Sequence, residues 1–422
     1  MLVPFFFPLR WVTVLTKREE RIMKLTPSQE SALKQVEEFL KSTRTCMCIS
    51  GKPGVGKSFF IKECVVPLAE SMQKNPILTA TTNKAANVID GITTYSAFGL
   101  KMQFNNSTGK YEIDQRYLKQ IYCSLLIVDE ASMLDKQLLD IILNNIRRTK
   151  VIFVGDMNQL PPVGYSADVF SKYPVVELTD VVRQKKQDLI DCIESAKDCI
   201  KNATIFKPEE SDNVHIISDG VEAQELLKTF GNNDKILSYT NKRVIAFNQC
   251  YRNLLNKPNE FRVGDLVVNK SYASPFGIPD NATMGNTLYA EEESVITDIS
   301  EPHNVVWNDT EIDFKVKTVA LLGKAYPFYI PCSPELYRTC LNSFASQKSW
   351  DLYYFFKEKM ADLRDNNACT VHASQGSTYD RVFIDYTDIV KGRGQTMGNK
   401  ARMLYVALSR AKEEIFIYKK KD

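Results

Sequence analysis

Short, almost continuous apolar runs alternate with stretches of helical period from Leu25 to about Val182. The runs fall at Thr45–Ser50 (TCMCIS), Ile77–Thr81, Leu125–Asp129 and Val151–Gly155. A strand with one wet face alternates polar and apolar residues, whereas a strand covered on both faces is apolar throughout. These runs therefore predict a mainly parallel sheet with helices on both sides. Ser58–Lys74 reads as one of the covering helices. Residues 95–122 interrupt the alternation. There Lys101–Phe104 and Lys110–Ile113 flank Asn105-Asn106-Ser107-Thr108-Gly109, turn chemistry that predicts an inserted β-hairpin.

From Arg183 to about Cys250 the α/β pattern resumes, with Lys235–Thr240 (KILSYT) as its clearest strand. Residues 251–365 change character: Phe261–Lys270, Ser294–Ile299 and Thr310–Leu322 are β-rich, and Ser346–Arg364 reads as helical. Strands of the earlier kind return at Cys369–His372, Arg381–Tyr386 and Glu414–Tyr418. The simplest organisation is an α/β protein with one domain over 23–182, a second over 183–250 plus 366–422, and a β-rich insertion over 251–365. No internal repeat of solenoid period is visible.

Composition narrows the classes. A chain of 422 residues holds two or three domains. A net charge of +3 does not announce a polyanion partner, so nucleic-acid binding has to rest on local patches. The ten cysteines include no C-x-x-C pair and there are three histidines, which speaks against a zinc site or a disulfide framework and fits reduced thiols. Met1–Leu15 is apolar but short for a membrane span, is interrupted by Arg10 and two prolines, and lacks a secretory cleavage pattern. Folded-looking sequence starts after Met23, so residues 1–22 are expected to be an upstream extension.

Chemistry enters at residues 51–58, Gly-Lys-Pro-Gly-Val-Gly-Lys-Ser, a complete phosphate loop set between a strand and a helix. Glycines turn backbone N–H groups inward around phosphates, Lys57 reaches the outer phosphate oxygens, and the Ser58 hydroxyl suits Mg²⁺. The expected nucleotide-binding set is Gly51, Pro53, Gly54, Val55, Gly56, Lys57, Ser58 and Phe59. At the end of the run LLIVDE, Asp129 is a candidate Mg²⁺ ligand and Glu130 a candidate base for the attacking water, although a helix start also favours acidic residues. In VIFVGDMNQLPPV, Gln159 either presents an amide to a γ-phosphate or belongs to a polar turn closed by two prolines.

Nine segments in order now resemble a superfamily 1B, RecD-like helicase. They are Thr26–Gln29 (TPSQ), Gly51–Ser58, Thr79–Ala86 (TATTNKAA), Asp129-Glu130, Gly155–Val163, Leu178–Gln184 (LTDVVRQ), Ser238–Asn241 (SYTN), Thr370–Gly376 (TVHASQG) and Leu404–Lys412 (LYVALSRAK). The resemblance implies two RecA-like P-loop NTPase domains with ATP between them. It implies that Gln29 reads the adenine edge, that Gln159 contacts the γ-phosphate, and that Arg183 and Arg410 are arginine fingers from the second domain. It implies that Thr82, Lys84, Thr370, His372 and Ser374 hold a DNA strand. Tyr95 and Phe98 either stack on bases or belong to the core. The hairpin resembles the family's strand-separating pin and the β-rich insertion its SH3-like domain. Two departures stand out: Tyr95 occupies a position where many relatives carry histidine, and the β-rich region matches weakly outside Arg262–Val267.

The expectation is an ATP- and Mg²⁺-dependent DNA helicase. By resemblance it would move 5′→3′ on single-stranded DNA, open forked duplex DNA, and serve replication, recombination or repair. It would act as a monomer in the cytoplasm, a host's if the chain is phage-encoded, without a membrane, and with a single-strand-binding or replisome protein as a further partner. The alternatives are a translocase that strips proteins with little unwinding, and a nucleotide-switched DNA-binding factor with negligible turnover.

Overall fold

The computed structural model describes residues 25–105, 110–162, 165–182, 186–258, 260–275, 286–307 and 310–420. The expected extension over 1–22, the hairpin tip over 106–109 and Arg183 lie outside the described residues.

The first sheet contains β1 (Cys46–Gly51), β2 (Pro76–Ala80) and β3 (Ile92–Thr93). A separate antiparallel hairpin, β4 (Lys101–Asn105) and β5 (Lys110–Asp114), follows, with Lys101 opposite Asp114. The chain then returns to the sheet with β6 (Leu125–Asp129), β7 (Lys150–Gly155) and β8 (Val175–Leu178). The order is β3-β2-β6-β7-β1-β8, with parallel pairing throughout. The continuous apolar runs are explained by two cores. In β6, Leu125 and Ile127 pack into one cluster and Leu126 and Val128 into another on the opposite face.

The second sheet starts with β9 (Val214–Ile217) and β10 (Lys235–Ser238), after which the chain leaves it. The third, antiparallel sheet holds β11 (Leu266–Asn269), β12 (Glu293–Ile299), β13 (His303–Trp307), β14 (Thr310–Leu321), β15 (Phe328–Pro331) and β16 (Leu363–Asp365). β17 (Ala368–Thr370), β18 (Tyr379–Asp385) and β19 (Ala411–Tyr418) then complete the second sheet in the parallel order β17-β10-β18-β19-β9. The architecture is two parallel sheets flanked by helices plus a β-rich sheet. Among the described residues no helix is long and apolar enough to cross a membrane.

Several boundaries differ from expectation. The helix after the phosphate loop runs from Lys57 to Ser71 through a π-turn at Ile61–Val65. Pro67 explains the turn: it lacks an N–H and its ring crowds the preceding turn, and Val66 N–H reaches back to Ile61 O. Ser346–Arg364 is not one helix. Helices Pro334–Ser346 and Trp350–Lys359 meet at Lys348, which has a φ of +57°, and Leu363–Asp365 pairs as a strand with β11. KILSYT is a strand only to Ser238, because Thr240 caps helix Asn241–Leu254 by accepting from Arg243 N–H.

Candidate nucleotide cleft and nucleic-acid patch

Helix Pro27–Lys41 opens with a capping box: Thr26 Oγ1 accepts from Gln29 N–H, and Gln29 Oε1 accepts from Thr26 N–H at 3.1 Å. The remaining end of the Gln29 amide donates to Val55 O at 3.1 Å, and Gln29 is 3% exposed. Gln29 thus braces the phosphate loop from beneath. Each end of its amide meets one protein group and keeps one further N–H or lone pair. Gly56 sits over it with a φ of +80°, and a Cβ there would come within 3.1 Å of Gln29 Nε2. Glycine fits that conformation and that approach. Lys57, the first residue of the following helix, donates from Nζ to Gly51 O at 2.8 Å and Lys52 O at 3.2 Å.

A cavity of about 250 Å³ opens above the loop. Pro53, Gly54, Gly56, Lys57, Ser58 and Phe59 form its floor, Asp129 and Glu130 come from the end of β6, Gln159 from the loop after β7, and Gly376 and Arg410 from the turns that lead into β18 and β19 of the second sheet. Gly51 and Val55 are buried behind it. Burial, and next to it the Glu130 charge, raises the Asp129 carboxyl to about 7, against the pull of the Glu130 N–H and of Lys57. Glu130 is held in the left-handed region at φ +51°, with its N–H on Asp129 Oδ1 at 2.8 Å and its carbonyl accepting from Thr81 Oγ1 at 3.1 Å. Such a backbone costs about 1–3 kcal/mol and persists only where the surroundings impose it. Its Oε2 is buried without a hydrogen-bond partner. A cleft with a hydroxyl, a buried carboxylate and an orphaned carboxylate oxygen suits Mg²⁺. That ion takes hard oxygen donors and shares its shell with substrate phosphates instead of needing a full protein cage. Ser58 and Asp129 are the residues that would hold it.

The opposite wall carries Arg410, which is 2% exposed. It donates to Val406 O at 3.0 Å, Ser377 O at 3.2 Å and Ser409 Oγ at 2.9 Å, three of the five donors a guanidinium has. Among the described residues no carboxylate pairs with it. Burial lowers its pKa, and Glu130 across the cleft is the largest influence in the other direction. A buried, incompletely paired cation therefore faces the phosphate loop from a different sheet. Gln159, 3% exposed, accepts from Gln375 Nε2 at 3.3 Å, and Lys52 of the loop pairs with Glu194. Gln375, Arg402, Tyr405 and Asp156 also meet at this seam and were not singled out by sequence reasoning. Tyr405 and Gln375 stand inside quoted motifs, but nothing in their spacing names the partner that each finds.

A family model described as an AAA domain matches residues 24–219, and one described as a UvrD-like helicase C-terminal domain matches residues 367–418. An uncharacterized mimivirus protein (R530, Acanthamoeba polyphaga mimivirus) is 24% identical over 92% of this chain and 98% of its own length. The ATP-dependent DNA helicase Dda of Enterobacteria phage T4 is 22% identical over 93% of this chain and 98% of its own. A solved structure of Pif1 helicases, described for DNA unwinding at forked dsDNA by two coordinating copies, superposes over 95% of this chain and 93% of its own, with 19% identity and a TM-score of 0.52. The chain belongs to the Pif1/Dda-like superfamily 1B helicases. In this helicase the first family match spans the sheet β1–β8 and reaches β9, the second spans β17–β19, and the third sheet lies between them.

The helicase's expected DNA-contacting residues divide sharply. Thr82 caps helix Asn83–Val88 by accepting from Ala85 N–H at 3.2 Å, and its neighbour Lys84 pairs with Glu293 of β12 at 2.7 Å. Thr370 is half-buried with Oγ1 on Ala373 N–H at 3.2 Å. His372 is half-buried near the Tyr239 ring, and burial lowers its pKa, which keeps the imidazole neutral. Ser374 is a correction: it is 0% exposed and its hydroxyl donates to Val371 O at 2.8 Å, so the turn uses it internally and it offers nothing to a strand. Phe98 is a second correction. It is 0% exposed in the cluster with Leu100, Ile121 and Leu126, so its ring is core and not a base platform. Tyr95 packs partly against the same cluster, and burial raises its hydroxyl.

Proposed function

We propose that the chain is an ATP-dependent DNA helicase that turns closure of the cleft between its two parallel sheets into movement along single-stranded DNA and separation of forked duplex. The observation that carries this reading is Arg410, buried on the second sheet and facing Glu130 and the phosphate loop of the first. Lys57 binds the outer phosphates, Glu130 orients and deprotonates the attacking water, Gln159 senses the γ-phosphate, and Arg410 stabilises the charge that develops during transfer. Mg²⁺, when bound by Ser58 and Asp129, neutralises phosphate charge. Arg183 is proposed as a second finger on the strength of its motif. Thr82, Lys84, Thr370 and His372 are proposed to hold the strand, and hairpin β4–β5 to part the duplex. Polarity is proposed as 5′→3′ from family membership.

Displacement assays on forked DNA with a 5′ or a 3′ overhang test the reading. ATP-driven displacement from the 5′ overhang supports it, and displacement from the 3′ overhang alone contradicts the polarity. DNA-stimulated hydrolysis without displacement from either substrate favours a translocase.

A further inference from the structure

One short loop of the first sheet, residues 156–159, is held by three side chains of the second. Arg402 Nη1 donates to Met157 O at 2.9 Å and Gln159 O at 3.2 Å, and Gln375 Nε2 donates to the Gln159 side chain at 3.3 Å. The third is Tyr405, whose hydroxyl donates to Asp156 Oδ2 at 2.8 Å. Asp156 is 1% exposed, and its other oxygen accepts from Asn158 N–H at 2.9 Å. Its own carbonyl accepts from Gln159 N–H at 3.1 Å, so the position of Asp156 sets that of Gln159.

Two features make the Tyr405–Asp156 bond more than packing. First, among the described residues no cation lies within ion-pair distance of Asp156, and Arg402 and Arg410 act on it only through space. A carboxylate sealed away from water on neutral donors is a costly way to hold two surfaces together, and an apolar pair would serve stability as well. Second, Tyr405 and Arg402 lie one turn apart on helix Met397–Leu408, and Arg410 stands two residues beyond its end. The helix that grips the Gln159 loop therefore also delivers the arginine. The Tyr405 ring is 0% exposed in the core of the second lobe, so only its hydroxyl crosses the seam.

We propose that Tyr405 is a positioning residue for hydrolysis: its hydroxyl, through Asp156, sets the register between the lobes so that Gln159 and Arg410 reach the same phosphate together. The proposal rests on the ATPase reading above and adds a residue to it. The bond forms only when the lobes are apposed, so its loss affects the closed, reacting state more than the first capture of ATP on the phosphate loop.

The test is steady-state ATP hydrolysis with saturating single-stranded DNA for wild type, Tyr405→Phe, Asp156→Asn and the double variant, with thermal melting of each. Phenylalanine keeps the ring in its core. Tyr405→Phe is expected to lower kcat by at least about tenfold, the usual effect of losing a hydrogen bond to a charged group, while KM for ATP stays within about twofold and melting hardly moves. Asp156→Asn is expected to lower kcat too, and the double variant to be no worse than the worse single one. A Tyr405→Phe kcat within about twofold of wild type, a loss confined to KM, or losses that multiply in the double variant overturn the role of Tyr405 and leave the ATPase reading standing. A wild-type chain that does not hydrolyse ATP overturns both.

Discussion

The Lys84 ammonium lies 2.7 Å from the Glu293 carboxylate, joining the TATTNKAA segment of the first lobe to β12 of the antiparallel sheet. Buried Lys235 of the second lobe also acts on Glu293, and with Lys84 it keeps that carboxyl below its usual range against the opposing effect of burial. All three sheets therefore meet at one carboxylate. The side chains of Lys84 and Glu293 are 28% and 31% exposed, so the pair contributes little to stability, and its consequence is competition: a lysine held by Glu293 is not free for a phosphate. Glu293→Gln is expected to tighten single-stranded DNA binding by about two- to fivefold and to steepen its salt dependence by about one phosphate contact. Fluorescence anisotropy over a salt series reads both, and unchanged affinity and slope would reject the competition.

Phe98 supplies a prediction of the opposite kind. Because its ring is core, Phe98→Ala is expected to cost about 3–5 kcal/mol in denaturant unfolding. DNA affinity, measured where the variant is still folded, is expected to stay within about twofold of wild type. A selective loss of DNA binding with unchanged stability would restore the base-stacking role.

The contrast between Phe98 and Asp129 shows what was legible. Local grammar was: the LLIVDE run, the phosphate loop and the two strand runs of the hairpin each depend on neighbours within a few residues, and they fall at β6, the cleft and β4–β5. The capping box Thr26–Gln29 carries a spacing signal of its own, Thr-x-x-Gln, that the motif reading passed over, and it ties Gln29 to its helix and to the loop. Helix Pro334–Ser346 carried a signal as well, with Tyr337, Cys340, Leu341 and Phe344 at helical spacing after Ser333-Pro334. None of its residues is fully buried, which dilutes the apolar stripe. Side-chain destinations were not legible. Ser374 turning inward, Lys84 meeting Glu293 and Tyr405 meeting Asp156 depend on contacts across more than 200 residues or on one rotamer choice. Periodicity has no access to either.

The carboxylate pair sets a pH dependence. The Asp129 carboxyl is raised from 3.8 to about 7 in the fold, so the folded chain holds that proton more tightly than the unfolded chain. Stability from this group therefore falls as pH rises between about 4 and about 7. Without Mg²⁺, wild type is expected to lose melting temperature relative to Asp129→Asn between about pH 5 and pH 8. Added Mg²⁺ is expected to restore it at the higher pH in wild type only, since the metal needs the ionised carboxylate. Parallel melting curves for the two proteins across that range would contradict the assignment.

A single ATP site built from two sheets stands or falls on Arg410. Its fork of donors is anchored to Val406 O, Ser377 O and Ser409 Oγ, which a lysine cannot reproduce. The measurement is DNA-stimulated ATP hydrolysis by Arg410→Lys against wild type, with nucleotide affinity followed separately. The expected result is a fall in kcat on the order of 10³ with ATP still bound by the loop of Lys57 and Ser58. Hydrolysis by Arg410→Lys within about tenfold of wild type would contradict a site shared between the sheets.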